Sequence, residues 1–177
     1  PAERFGRLIV LFSSKEGIGK SVFYQILKAL FGANLCAWYN TLSKFKQDFN
    51  QNSMNKIIQF IDDISGVTKK ELRDLFARIT TEEDQFNGKY EKVINLPVYD
   101  DFYTTSNDTC PLYTSTEDRR LLFIECFPHY YQDIAFFKGL QKELECFNFR
   151  RAFFDYLVRR DIGDFNPIDQ TLFSHEK

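Results

Sequence analysis

The chain has 177 residues, 44% of them apolar and 20 of them phenylalanine, enough hydrophobic surface for one core of ordinary size. Its formal net charge of −2 excludes a uniformly basic surface, so any nucleic-acid contact must come from a local patch or from several copies acting together. Cys36, Cys110, Cys126 and Cys146 form no CxxC pair, and His129 and His175 are the only histidines, which argues against a structural zinc site and for a reducing, intracellular compartment. No apolar run is long enough to span a membrane and none has signal-peptide flanks.

The first element is the apolar run Leu8–Phe12, read as a buried strand. Ser14-Lys15-Glu16-Gly17-Ile18-Gly19-Lys20-Ser21 follows, then a helical pattern from Val22 to Phe31. Strand, glycine loop and helix N-terminus are the context a Walker A motif requires. Gly17 and Gly19 let backbone N–H groups curl around phosphate oxygens, so residues Ser14 through Val22 are expected to cradle ATP. Lys20 would reach the β- and γ-phosphates, and the Ser21 hydroxyl would ligate Mg²⁺. Ser14 stands where the pattern G-x-x-x-x-G-K-[ST] places its first glycine, and serine can make that turn if its φ stays negative.

A short aromatic strand, Leu35–Tyr39, comes next. A helix is expected over Thr41–Phe49, with Leu42, Phe45 and Phe49 on one face. Ile57–Ile61 reads as a parallel strand buried on both sides, ending in Asp62-Asp63. Ser65 or Thr68 would cap a helix whose buried stripe is Leu72, Leu75, Phe76 and Ile79. The polar stretch Glu82–Leu96 carries Asn87-Gly88, a two-residue hairpin turn signal. Phe102–Thr105 and Leu121–Ile124 are two further strands. Gln132–Arg160 is expected to be helical, with Leu140, Leu144, Phe147 and Phe154 reaching the core. Strands alternating with helices argue a three-layer α/β sandwich around a mainly parallel sheet. An ATPase core is expected over 1–130 and a helical segment of the same domain over 131–177.

Ligands of parallel sheets collect at strand C-termini, which is where Asp62-Asp63 falls. This is a Walker B arrangement: Asp62 is assigned to Mg²⁺ and Asp63 to polarising the attacking water. An aspartate pair that merely precedes a helix cap is the alternative. Asn107 closes its strand with an amide able to touch the γ-phosphate or orient the water, although Ser106-Asn107-Asp108 is also a good turn sequence. Arg119-Arg120 precedes the last strand and could deliver a guanidinium to a neighbour's γ-phosphate. A surface ion pair with Glu117 and Asp118 is the plainer reading.

Walker A, Walker B, a lysine-bearing hairpin, a strand ending in Ser-Asn and then Asp-Arg-Arg before a strand: this order resembles superfamily 3 helicases of the AAA+ class. It is closest to those of poxvirus-type, phage or plasmid primase–helicases. The resemblance runs from Leu8 to Pro167 and includes the tail Phe154–Ile162. It departs at Ser14, and at Asp63, where many relatives carry glutamate. It implies a P-loop fold and ATP hydrolysis with Mg²⁺ at the subunit interfaces of a ring, usually a hexamer, that moves single-stranded nucleic acid, DNA more than RNA, in genome replication. Asn107 would be its sensor 1 residue and Arg119-Arg120 its arginine finger. Lys89, Tyr90 and Lys92 stand at its nucleic-acid hairpin, where lysines meet phosphates and a tyrosine stacks on a base; a solvated turn is the alternative. The resemblance further implies a primase-like domain upstream, consistent with a chain that begins almost on its first strand. The competing reading is a P-loop ATPase or nucleotide-gated assembly switch that never translocates on nucleic acid.

Overall fold

The computed structural model describes residues 5–45, 51–86, 92–108, 118 and 120–165. In chain order the elements are β1 (Leu8–Phe12), α1 (Val22–Phe31), β2 (Cys36–Tyr39), α2 (Leu42–Phe45), β3 (Ile58–Ile61) and α3 (Lys69–Thr80). Then follow β4 (Glu83–Phe86), β5 (Ile94–Pro97), β6 (Asp101–Ser106), β7 (Leu121–Glu125), α4 (Ile134–Glu145) and α5 (Phe147–Arg159). Five strands make one parallel sheet in the order β2-β3-β6-β1-β7, and β4 and β5 form a separate antiparallel hairpin. The mainly parallel α/β architecture expected from the alternation is present.

Side-chain alternation explains how both faces are covered. Leu8, Val10, Ala37, Tyr39, Ile61, Phe102 and Leu121 share one face and pack with the α3 stripe Leu72, Leu75, Phe76 and Ile79. Residues one step out of phase, Cys36, Ile58 and Tyr103, pack on the other face with Phe23, Tyr24 and Leu27 of α1. All four residues of β3 are buried, as a parallel strand covered on both sides requires. Leu75 and Ile79 are fully buried, so truncating either to alanine removes about 2–5 kcal/mol. Thr68, not Ser65, caps α3: its hydroxyl accepts from the Glu71 N–H at 3.3 Å while the Glu71 carboxylate accepts from the Thr68 N–H at 3.0 Å.

One expectation is corrected. The C-terminal helical stretch is two helices, interrupted at Cys146, whose φ of −74° and ψ of 118° are extended. The break changes the phase of the second helix. Of the four side chains expected in the core only Leu144 is buried, and Phe147 is 65% exposed. Phe154 instead meets Phe31 edge-on at 6.2 Å, at the rim between α5 and α1. Of the helix expected over Thr41–Phe49, the part within the described residues is α2, Leu42–Phe45; the rest, including Phe49, lies outside them.

A polar cluster lies under the β4–β5 hairpin. Gln59 of β3 is fully buried and donates to Asp100 at 2.7 Å and to the Ser53 carbonyl at 3.2 Å. Arg78 of α3 joins Asp84 at 2.9 Å and Asp100 at 3.6 Å, with its guanidinium 5.6 Å from the Phe86 ring centre. No helix of the described residues is long and apolar enough to cross a membrane.

Candidate functional site

Because the five sheet strands run parallel, the loops after β1, β3 and β6 emerge at one edge. The glycine loop 14–21 leaves β1 there, Asp62 and Asp63 follow β3, and Asn107 follows β6. Together they line a cleft of ≈ 540 Å³.

Non-glycine residues with positive φ among those described are Asn55, Asp63 and Gln132, so Ser14 turns without entering the left-handed region. Gly17 and Gly19 do enter it, at φ 71° and 95°. Backbone pairing is in place at Val22, whose N–H donates to the Gly19 carbonyl at 3.0 Å. Helix α1 has no side-chain cap at Ser21 and no acidic residue in its first turn. Its positive end therefore carries no counter-charge of its own in the first turn.

Lys20 donates to the Asn107 amide oxygen at 2.7 Å and to the Lys15 carbonyl at 3.1 Å. The Asn107 amide nitrogen donates in turn to Glu16 at 3.4 Å. Burial lowers the Lys20 pKa, against the opposing pull of Cys126, Glu16, Asp63 and Asp62. The Ser21 hydroxyl donates to the Asp62 carboxylate at 3.3 Å, and Thr105 donates to the same oxygen at 2.9 Å. Hydroxyl and carboxylate oxygens side by side are the hard donors that magnesium takes. Among the described residues no group of three His, Cys, Asp or Glu could hold a metal. A cation here would complete its shell with ligand and water oxygens, as magnesium does beside phosphates.

Asp63 lines the cleft but is drawn back on its own loop. Its backbone is left-handed at φ 51°, its carboxylate accepts from the Ser65 N–H at 3.0 Å and from the Ser65 hydroxyl, and its N–H donates to Thr105. Arg120 does not join the cleft. It precedes β7, at the opposite edge of the sheet, where it grips Asp118 at 2.7 and 2.8 Å and lies 4.1 Å over the Phe76 ring centre. This is the ion pair weighed against the finger reading. Arg119, Lys89 and Tyr90 lie outside the described residues. Lys92 is exposed, in the segment leading into β5.

Three participants carried no sequence motif. Thr105 binds Asp62 and the Asp63 backbone together, and its place beside the C-terminal end of β3 follows only from the register. Phe137 of α4 lines the cleft against Gly19, where a Cβ would come within 2.5 Å of the ring. Tyr131 sits 5.3 Å from the Lys15 ammonium. Residues 131 and 137 are far from the glycine loop in sequence, and nothing in the helical periodicity of α4 sends Phe137 toward it.

A family profile matches residues 11–120, more than half of the chain, and the chain belongs to that family, described as a family of unknown function (DUF5906). The chain is also similar to the DNA primase-polymerase of Nitratiruptor phage NrS-1, at 28% identity over 120 residues. That match covers 66% of this chain and 17% of the phage protein. Solved apo structures of the NrS-1 C-terminal region superpose with TM-scores of 0.75 and 0.74 at 24% identity. They cover 91% and 96% of this chain, which spans 38% and 39% of those chains. The relationship is thus to one part of a phage replication protein, and the α/β fold is shared.

Proposed function

We propose that this chain is an ATP-hydrolysing P-loop domain of the superfamily 3 helicase type, working in phage DNA replication as a ring that moves single-stranded DNA. The observation that carries the reading is the meeting of Lys20, Ser21, Asp62 and Asn107, from three separate loops, around one cleft at the C-terminal edge of the sheet. The strand order supports it as well, since β6 with its terminal Asn107 lies between the strands bearing the glycine loop and the aspartate pair. The similarity to the NrS-1 DNA primase-polymerase supports the replication setting.

In this reading the glycine loop and Lys20 bind the β- and γ-phosphates, and Lys20 gives up its neutral acceptors for them. Ser21 and Asp62 would hold Mg²⁺, which supplies charge neutralisation at the phosphates. Thr105 fixes the Asp62 carboxylate, and Asn107 orients the attacking water or the γ-phosphate. Asp63 polarises that water once its carboxylate leaves Ser65. A neighbouring protomer supplies Arg119. Lys89, Tyr90 and Lys92 on the hairpin contact the strand in transit.

The second reading, a nucleotide-gated assembly switch, is favoured by the Asp63 carboxylate being bonded to Ser65 rather than free. Steady-state ATPase with and without single-stranded DNA separates the two. Stimulation by DNA that Lys89→Ala with Lys92→Ala removes is the expected result for the motor. Hydrolysis indifferent to DNA would favour the switch.

A further inference from the structure

Beside the phosphate cleft lies a second one of ≈ 590 Å³, between α1 and α4. The two share Gly17, Val22 and Phe137, so a molecule held by its phosphates in the first has its remaining part at the mouth of the second. Ile134, Phe137, Lys138 and Gln141 stand at i, i+3, i+4 and i+7 on α4, one helix face turned to this cleft. Gln25 faces it from α1, and Gln132 from the strap that joins β7 to α4.

The walls are set in place. The strap is tied to the glycine loop by the Gln132 N–H, which donates to the Gly17 carbonyl at 3.4 Å. Asp133 caps α4 by accepting from the Phe136 N–H at 2.9 Å. Phe136 stacks on Tyr130 at 3.8 Å and meets Phe137 edge-on at 5.3 Å. Phe137 is thereby pressed on Gly19. Ile134, at the same mouth, is 67% exposed, an apolar surface beside the glycine loop.

We infer that this second cleft receives the nucleobase of the triphosphate, and that it accepts adenine and guanine alike. This rests on the phosphate reading given above. Phe137 and Ile134 offer a flat apolar wall, and stacking on an aromatic ring does not distinguish one base from another. The polar lining includes three side-chain amides; Gln132 Nε2 donates to the Tyr131 hydroxyl at 3.1 Å, while Gln25 and Gln141 can each donate or accept as the base edge requires. Adenine and guanine present opposite donor–acceptor patterns on their pairing edges, and rotating an amide meets either. Among the described residues no carboxylate lines the cleft to fix guanine's donors. Lys138, a charged group of this lining, suits the N7 acceptor both purines carry.

The test compares ATP, GTP and inorganic tripolyphosphate, each with Mg²⁺, by calorimetry on the chain and on two variants. ATP and GTP should each bind at least about fivefold tighter than tripolyphosphate, the contribution of one stacked base, and within about threefold of each other. Gln141→Trp fills the cleft from an exposed position. It should bring both nucleotides down to the tripolyphosphate level and leave tripolyphosphate itself unchanged. Phe137→Leu keeps apolar bulk against Gly19 without a ring, and should weaken ATP and GTP equally. If nucleotides bind no tighter than tripolyphosphate, or Gln141→Trp leaves their advantage intact, the base lies elsewhere while the phosphate reading stands. A preference for either purine above about threefold overturns the tolerance, since the cleft would then be reading the groups in which adenine and guanine differ. Should tripolyphosphate and both nucleotides all fail to bind, the phosphate reading itself falls and takes this inference with it.

Discussion

The two edges of the parallel sheet treat their cations differently. At the edge where the strands begin, Arg78 and Arg120 are locked by carboxylates and laid over phenylalanine rings. At the edge where the strands end, Lys20 is held by a carbonyl and an amide oxygen, both neutral. Nearby carboxylates belong to Glu16, Asp62 and Asp63, yet the bonds Lys20 makes are to neutral acceptors. An arginine with a bidentate carboxylate has its charge answered within the fold. A partly buried ammonium on neutral acceptors does not, and an incoming polyanion improves its surroundings. The first arrangement holds the molecule together; the second leaves Lys20 bonded to a carbonyl and an amide oxygen rather than to a carboxylate.

Lys20→Ala is the harshest way to break the comparison. It should greatly weaken ATP binding and abolish hydrolysis, because the phosphates lose their compact ammonium partner. The unfolding midpoint should barely move, because the neutral acceptors can turn to water. Turnover at the original rate in this variant would remove the loop's assigned role.

Arg119 and Arg120 sharpen it further, being adjacent in sequence and opposite in expected behaviour. Arg119→Ala should cost roughly 10³-fold in hydrolysis with ATP binding retained, as an arginine finger acting in trans requires. Mixing it with Lys20→Ala protomers should restore part of the activity, since each variant supplies what the other lacks. Arg120→Ala should instead lower stability by about 1 kcal/mol or less, its ion pair being partly exposed. Folded Arg120→Ala protein failing to hydrolyse ATP, with Arg119→Ala active, would exchange the two roles.

Arg78→Met tests the locked edge by itself. Removing the guanidinium leaves Asp100, 2% exposed, beside Asp84 with the bridging charge gone. Breaking a buried pair in this way costs about 3 kcal/mol or more. A urea titration should show that loss, with ATP affinity unaltered in the folded fraction. A neutral effect would mean the hairpin reorganises to let water reach both carboxylates.

The same contrast explains what could be read in the sequence. Leu8–Phe12 and Val22–Phe31 were legible to the residue, because a buried strand and an amphipathic helix flank a loop whose glycines are obligatory. The α3 stripe and the Asp62-Asp63 position were legible for similar reasons: burial imposes period, and parallel strands impose an edge. The C-terminal helices were not. Cys146 is neither glycine nor proline, so nothing local announces the break, and Phe147 and Phe154 look like core residues in any periodic count. Thr105 and Phe137 were missed because their roles are set by register and by one helix docking on a distant loop. Arg120 illustrates the reverse case. Its motif position suggested chemistry, and Asp118, two residues away, takes its charge.

The smallest effect, and the one that reads the exchangeable cation most directly, is its pH dependence. Burial lowers the Lys20 pKa from the ordinary lysine value of 10.5, so in the free protein the ammonium is lost earlier in an alkaline titration. Bound phosphates add negative charge and raise it again. Between the free and bound values, binding therefore takes up a proton, and affinity falls as pH rises through that window, by at most about tenfold per pH unit for a single proton. Stability moves the other way. A lysine whose folded pKa lies below its unfolded one binds fewer protons when folded, so its charged form works against folding at neutral pH, and that penalty is relieved as pH rises toward 10.5. Cys126, whose thiol burial raises, is a second titratable group beside Lys20, and Cys126→Ser removes it from the measurement. Calorimetry of ATP binding in two buffers of different ionisation enthalpy should then show proton uptake beginning below pH 10.5. Lys20→Arg, whose guanidinium stays charged throughout, should show none. Proton uptake that persists unchanged in Lys20→Arg would assign the titration to another group, and the two edges would differ in geometry alone.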